Sequence, residues 1–343
     1  MKRMKLLPAI AALLAILCRP EAAVTCAQQA MRIWFASVAP ALFPFLALLP
    51  LLTGPDACAV YAAAFGSVMG PLFRLPGSAA PAMLIAMLSG SPGGAIATAR
   101  IARQSGMNRG QLRRLAPAVC GVGPAYLVMG VGVGLYGSAR LGLRLVAIQL
   151  CVQLISLLAL RCLPDDETPL PRPDAAADEG GIRAAVAAVL SVCSYMVLFA
   201  SVSGAVAALA GPAVGRALLL AADLPSGMAV LAGWHFNGRA AVLGIALGFG
   251  GLCIAAQNMD VLHPLGLRRL DFLIVKLAQA ALTGVLCAFL LEDSCMPADL
   301  GLAASRPAYA FSLLAALLLC VPALIFLSKN LFLNKTDSRK VPS

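Results

Sequence analysis

The chain has 343 residues, of which 61% are hydrophobic and 12% are charged, and its formal net charge at pH 7 is +11. A soluble globular domain carries about one quarter charged residues, so this composition excludes a soluble protein and indicates that lipid surrounds much of the apolar surface. Because backbone groups in lipid must be paired within the protein, and because the apolar stretches are continuous rather than alternating, the sequence predicts an all-α, polytopic helical membrane protein.

The apolar blocks predict about 8–10 membrane segments. In chain order they cover residues 6–18, 38–53, 58–73, 80–98, 116–136, 141–161, 184–210, 217–233, 239–262, 270–291 and 307–327. Several are shorter than the about 20 residues that a perpendicular span requires, so some are predicted to be half-helices or re-entrant segments. The first block follows a basic start, as in a signal peptide, but Pro8 interrupts it and no clean cleavage site follows before Arg19, which favours a retained helix.

The blocks group into five regions. They are a first helix with an interfacial segment (1–30), a first half (31–161), a polar linker (162–183), a second half (184–291), and a last transmembrane helix with a basic tail (292–343). The linker is identified by six acidic residues with three prolines between them.

Basic residues set the predicted topology. Residues 100–114 contain five arginines, and both ends of the chain are basic. Lys and Arg in short loops mark the cytoplasmic side, so both termini are predicted to be cytoplasmic, and nucleic acid is excluded as a partner. With 80–98 crossing the membrane and 217–233 re-entrant, the two halves are inverted repeats of each other.

Each half contains segments in which glycine and proline interrupt an apolar run. In the first half they are residues 88–95 and 120–126, and in the second half residues 223–228 and 248–257. Proline removes a backbone donor and glycine permits non-helical dihedrals, so these segments are expected to unwind. Paired interruptions at corresponding places in two halves indicate a transporter-type site near the midplane of the membrane.

The interrupted segments supply the candidate substrate-binding residues. They are Ser89, Ser91, Gly93, Gly94, Asp223, Ser226, Gly227, Gly250, Gly251 and Gln257. Asp223 has two interpretations, coupling of a cation or proton and capping of a half-helix. Exposed helix N-termini at the breaks would favour an anionic group on the solute.

Other residues have packing or interfacial interpretations. Gly130 with Gly134, and Gly244 with Gly248, have the spacing that lets membrane helices approach closely. Lys276 is expected to extend its side chain to the cytoplasmic interface.

Four motifs carry a resemblance to a known family. They are the run from Trp34 to Phe45, Pro71-Leu-Phe-Arg-Leu-Pro-Gly77, Ser89-Gly-Ser-Pro-Gly-Gly-Ala95, and Gly248-Phe-Gly-Gly251 through Gln257. The chain resembles the nucleoside-recognition, or Gate-domain, membrane proteins, and within them the sporulation integral membrane protein branch. The resemblance implies a bacterial cytoplasmic-membrane protein that acts in spore formation and cortex building. It also implies a distant relation to concentrative nucleoside transporters, whose sites lie between re-entrant hairpins and broken helices.

The sequence therefore favours a transporter that moves a small polar or nucleoside-like solute by alternating access. The alternative is a non-transporting scaffold that gathers envelope-building partners through loops 100–114 or 162–183. No Walker A, G-x-S-x-G or H-E-x-x-H motif is present, so an enzyme is not expected, and no cofactor or metal is expected either. The predicted partners are the lipid bilayer, a small polar solute and a coupling cation or proton, and a homo-oligomer is left open.

Overall fold

The computed structural model describes residues 2–171, 181–234 and 236–291, and throughout these ranges the regular structure is helical. Within the described ranges five helical runs are long and apolar enough to cross a membrane, one of them the interrupted run Arg239–Leu265. There are six if the bent pair Leu7–Cys18 and Pro20–Ala36, which meet at 101°, forms one span. The prediction of an all-α polytopic membrane protein is confirmed. The predicted helix at 307–327 and the basic tail lie outside the described residues.

The described part of the chain contains fourteen α-helices. They are α1 Lys2–Cys18, α2 Pro20–Ile33, α3 Ala39–Leu52, α4 Pro55–Phe73, α5 Ala80–Ser89, α6 Gly93–Gln104, α7 Arg109–Val119, α8 Ala139–Leu160, α9 Ile182–Ala210, α10 Pro212–Ala222, α11 Leu224–Ala232, α12 Arg239–Phe249, α13 Gly251–Leu262 and α14 Arg269–Leu290. Two π-helical segments, Trp34–Val38 and Tyr126–Leu135, and two 3-10 turns, Gly77–Ala79 and His263–Leu265, complete the described elements.

The block at 80–98 folds back on itself as a hairpin of α5 and α6, so its prediction as a crossing segment is wrong. In a straight helix Ala86 and Gly94 would lie about 12 Å apart. Here a Cβ placed on Gly94 would lie 2.5 Å from the Cβ of Ala86. The chain reverses because Gly90 has a φ of +70° and Pro92 follows it, and together they end α5. The predicted topology loses one crossing as a result.

A second hairpin joins α10 to α11 within the block at 217–233. Asp223 forms the turn between the two helices, and a Cβ on Gly227 would lie 2.5 Å from the Cα of Leu220. Neither helix is long enough to cross a membrane, since they contain 11 and 9 residues. A re-entrant segment must enter and leave the membrane on the same side, and a hairpin of two short helices has the shape for this.

Each hairpin is followed along the chain by a broken helix. The block at 116–136 becomes the end of α7, a non-helical stretch at 120–123, and the π-helix that begins at Tyr126. The block at 239–262 becomes α12 and α13, which are separated at Gly250 and Gly251, with φ of +82° and +84°. The order of hairpin and break is thus the same in both halves, whereas their inverted relation stays a prediction.

Glycine packing follows the sequence prediction in one place and departs from it in another. Gly244 and Gly248 of α12 lie against α14, where a Cβ would meet the carbonyl oxygens of Thr283 at 2.5 Å and Gln279 at 2.6 Å. In the π-helix, however, Gly132 rather than Gly130 or Gly134 makes the close contact, with a Cβ 2.7 Å from the Cα of Gly142. A π-helix bonds residue i to i+5, so residues four apart no longer share one face.

The start of the predicted linker is docked on α7 rather than free. The backbone amide of Gly110 donates to the Asp166 carbonyl at 2.9 Å, and the Arg114 guanidinium donates to the Leu163 carbonyl at 2.7 Å and pairs with Asp165. Partial burial raises the pKa of Asp166. Hydrogen bonds from Thr168 and the charges of nearby arginines outweigh this effect, so the net pKa of Asp166 lies below its ordinary value. Residues 172–180 of the linker lie outside the described residues.

Candidate functional site

The tip of the first hairpin packs directly on the break after α7. The Ser91 amide donates to the Gly121 carbonyl at 2.8 Å. A Cβ on Gly123 would lie 2.6 Å from the Ser89 carbonyl oxygen, and a Cβ on Gly90 would collide with the Gly123 backbone. Glycine is required here because two backbones approach each other without room for side chains.

The second hairpin meets its break in a similar way. A Cβ on Gly251 would lie 3.2 Å from the Leu224 amide nitrogen and 3.4 Å from the Ala222 carbonyl oxygen. The break between α12 and α13 therefore lies against the turn between α10 and α11. In each half a hairpin tip contacts a helix interruption.

Side chains from two other helices pair the backbone carbonyls of the first break. Gln279 donates to the Ala118 carbonyl at 2.8 Å, Gln153 to the Val119 carbonyl at 3.1 Å, and Lys276 to the Cys120 carbonyl at 3.0 Å. These carbonyls belong to the last turn of α7 and the residue after it, where the helix supplies no amide for them, although the Val119 carbonyl also accepts from the Gly121 amide at 2.9 Å. The interruption is thus stabilised by polar groups of α8 and α14.

Lys276 does not extend to an interface, so that prediction is wrong. Its side chain is among the most deeply buried in the protein, with 1% of the residue exposed, and it also donates to the Gln279 Oε1 at 2.9 Å. Lys276 lies seven residues after the start of α14, about 10 Å along the helix axis, and it faces α7. Its Nζ therefore reaches the break more easily than the end of its own helix.

The two halves meet where Asn258 of α13 donates to the Ser91 Oγ at 3.1 Å. On Asn258 itself, and beside Gly121, whose carbonyl accepts from the Ser91 amide, several buried amide atoms have no hydrogen-bond partner among the described residues. They are both amide atoms of Gln149, the Oε1 of Gln153 and the Oδ1 of Asn258. Gln149 and Gln153 lie one turn apart on α8, and both amide nitrogens lie against Gly121. An unpaired buried polar group costs about 1–3 kcal/mol, so a further hydrogen-bond partner for these amides would stabilise the arrangement.

Asp223 serves as the N-cap of α11. One carboxylate oxygen, Oδ2, accepts from the Ser226 amide at 3.2 Å and from the Ser226 hydroxyl. The other, Oδ1, is buried and has no hydrogen-bond partner in the described part of the chain. The capping interpretation is confirmed, and coupling of a cation or proton stays a prediction.

The other predicted site residues divide into packing positions and polar positions. Gly93, Gly94 and Gly227 allow the helices of each hairpin to touch, and Gly250 ends α12 in a left-handed conformation. The Ser89 hydroxyl donates a hydrogen bond to the Ile85 carbonyl at 2.8 Å. Gln257 is buried and donates to the Cys253 Sγ at 3.2 Å, while its neighbour Asn258 makes the contact between the halves.

Sequence reasoning missed five residues of this region: Gln149, Gln153, Asn258, Lys276 and Gln279. Two signals could have found most of them. Glutamines four residues apart in an otherwise apolar block share one helix face, and so do a lysine and a glutamine three residues apart. An intramembrane lysine that is not at a helix end is a functional hypothesis by default.

A comparison with curated proteins finds a similarity over part of the chain. The chain is 30% identical over 130 residues to the sporulation integral membrane protein YlbJ of Bacillus subtilis (strain 168). The match covers 38% of this chain and 32% of the relative, so the chain spans about a third of the length of the relative it matches. No family model and no solved structure matches. The similarity and the apolar helices support an integral membrane location, and the Gate-domain resemblance stays a prediction.

Proposed function

We propose that this protein is a transporter-like integral membrane protein of spore formation that moves a small polar solute across the bacterial cytoplasmic membrane. One observation carries the proposal. Polar side chains of both halves converge on interrupted helices, with Asn258 of the second half bonded to Ser91 at the hairpin tip of the first.

The physical support comes from the cost of this arrangement in lipid. Non-helical backbone at membrane depth is tolerated where protein buries it or where it lines a water-filled cavity. The backbone carbonyls of the first break are paired by protein groups, whereas Gln149 is 3% exposed and neither of its amide atoms has a hydrogen-bond partner among the described residues. Water or a polar solute beside Gln149 would supply the missing hydrogen bonds, because an amide offers both a donor and an acceptor.

The sporulation context rests on the similarity to the Bacillus subtilis protein, whose name describes a sporulation integral membrane protein. Alternating access would move one half against the other about the contact between Ser91 and Asn258. A nucleoside-like solute remains the expectation from the Gate-domain resemblance.

Cysteine accessibility tests the proposal. In a version without the native cysteines, Ser91→Cys, Gln149→Cys and Asn258→Cys are made one at a time and reconstituted in vesicles. A membrane-impermeant thiol reagent should label them, and a panel of nucleosides, amino acids and sugars, added singly, should identify a protecting solute. The matched control is Val152→Cys, a buried apolar position one turn from Gln149 on α8, which should stay unlabelled.

Absence of labelling at all three positions would contradict a hydrated pathway and favour the scaffold. The scaffold would depend on the exposed surface of segment 100–114, which the structure forms from the end of α6, a short connection and the start of α7. This surface includes Arg103 and Gln104. Arg113 and Arg114 cannot serve such a surface, because both are buried and paired with carboxylates of the same chain. Replacing Arg103 and Gln104 together should leave sporulation unchanged if the transporter proposal holds.

A further inference from the structure

Lys276 places a positive charge against the C-terminal end of a half-helix. The carbonyl that it contacts, that of Cys120, directly follows α7, where the aligned peptide dipoles leave a partial negative charge. No carboxylate forms an ion pair with Lys276 among the described residues. Its ammonium group is therefore stabilised by carbonyl oxygens, one from the backbone and one from the Gln279 side chain.

Carbonyl oxygens at the end of a half-helix are also the ligands of inorganic cations. In transporters with broken helices, unwound backbone carbonyls and half-helix C-termini coordinate Na⁺ or a proton. In the present break, four successive carbonyls each accept a hydrogen bond from the protein. The donors are Gln279 to Ala118, Gln153 to Val119, Lys276 to Cys120 and the Ser91 amide to Gly121.

We propose that Lys276 is a tethered cation that occupies the place of an inorganic cation at the break after α7. The break then carries its neutralising charge permanently, and its geometry does not depend on the ion content of the medium. Given the proposed transport function, on which this consequence rests, the first half would move without loading an inorganic ion at this break. Lys276 is a positioning residue, because it acts by holding the segment on which the hairpin tip rests.

The test is the cation dependence of thermal stability for Lys276→Ala. The apparent Tm of purified protein is measured in chloride salts of N-methylglucamine, Na⁺, K⁺ and propylammonium at equal ionic strength. Wild type should have the same apparent Tm in all four. Lys276→Ala should have a lower apparent Tm in N-methylglucamine, and a small cation should restore at least half of the loss with saturable concentration dependence.

Two further variants keep the test decisive. Gln279→Ala removes a neutral donor from the same segment, so its loss of apparent Tm should be equal in all four salts. Lys276→Gln keeps a hydrogen-bond donor but removes the charge, and it replaces Lys276→Ala in the test if that variant does not fold. Small cations should raise the apparent Tm of Lys276→Gln as well.

The proposal is overturned if Lys276→Gln matches wild type in N-methylglucamine, because the charge would then be unnecessary. It is also overturned if both lysine variants lose the same apparent Tm in every salt, because Lys276 would then act as a hydrogen-bond donor alone. Stability is measured without any solute, so either failure is distinguishable from failure of the transport proposal, which is read from thiol labelling.

Discussion

Gly123→Ala should destabilise the protein through one contact. The φ of Gly123 is not in the left-handed region, so alanine is compatible with the backbone and only the space is at issue. The added methyl carbon would lie 2.6 Å from the Ser89 carbonyl oxygen and 3.5 Å from the Cα of Gly90. Since the first neighbour is backbone, the hairpin tip must move away, and overpacking of this kind costs about 1–3 kcal/mol.

The matched control is Gly70→Ala in α4. A Cβ there has no neighbour within 4 Å, and the residue lies inside a helix. Alanine should therefore stabilise the helix by about 0.5–1 kcal/mol relative to glycine. Apparent Tm can be followed with a thiol-reactive dye, because Cys58, Cys120, Cys253 and Cys287 are buried in the native protein and become reactive on unfolding.

The two variants should differ in sign, with Gly123→Ala unfolding several degrees below wild type and Gly70→Ala at or above it. The displaced tip should also weaken the hydrogen bond between the Ser91 amide and the Gly121 carbonyl. Equal apparent Tm values for the two variants would refute the direct packing of the hairpin tip on the break.

Three further predictions concern charged groups. Arg113→Met should lower the free energy of unfolding by about 3–5 kcal/mol, because it leaves the buried Asp271 carboxylate unpaired. Asp271→Leu should cost less, because Asp166 remains 4.0 Å from Arg113. In a double-mutant cycle of thermal stability the double variant should recover most of the Arg113→Met loss, and additive losses would contradict the pairing, which has an N–O distance of 2.8 Å. Asp223→Asn should keep the helix cap and the apparent Tm, because Asn caps helices as well as Asp does. It should nevertheless abolish uptake if the carboxylate couples a cation or proton. Asp223→Ala removes the cap and should lower the free energy of unfolding by about 0.5–2 kcal/mol. The pKa of Asp166 is lowered, so its contribution to stability is present above its ordinary value of 3.8 and is lost as pH falls through the lower folded value. Asp166→Asn should therefore flatten the acid limb of a Tm–pH curve. An unchanged curve would contradict the stabilisation of this carboxylate by Thr168 and the nearby arginines.

Sequence patterns predicted the fold class and the places where helices are interrupted. Proline and glycine at 90–94 and at 250–251 disfavour helix through local stereochemistry, so their effect could be predicted without tertiary contacts. The direction of the chain after an interruption could not, because whether 80–98 continues or reverses depends on what Gly94 and Ala86 gain by packing together. The π-helix at Tyr126–Leu135 could not be predicted for the same reason.

Polar residues were predicted well where they interrupt an apolar run and poorly where they lie within one. Ser91 and Asp223 stand in turns and were found by their neighbours in sequence. Gln149 and Lys276 stand inside long helices, and their role depends on a break more than 25 residues away along the chain. Burying such polar side chains in lipid costs free energy, and this cost alone marks them as candidates for a functional role.

The most direct test of the convergence of the two halves is a cross-link between Ser91→Cys and Asn258→Cys. The two native side chains lie 3.1 Å apart between Oγ and Nδ2, across 167 positions of sequence. In a version without the native cysteines, a short bis-methanethiosulfonate reagent should join the two positions. Failure to cross-link, together with efficient labelling of each single cysteine, would contradict the meeting of the hairpin tip with α13 and the site built on it.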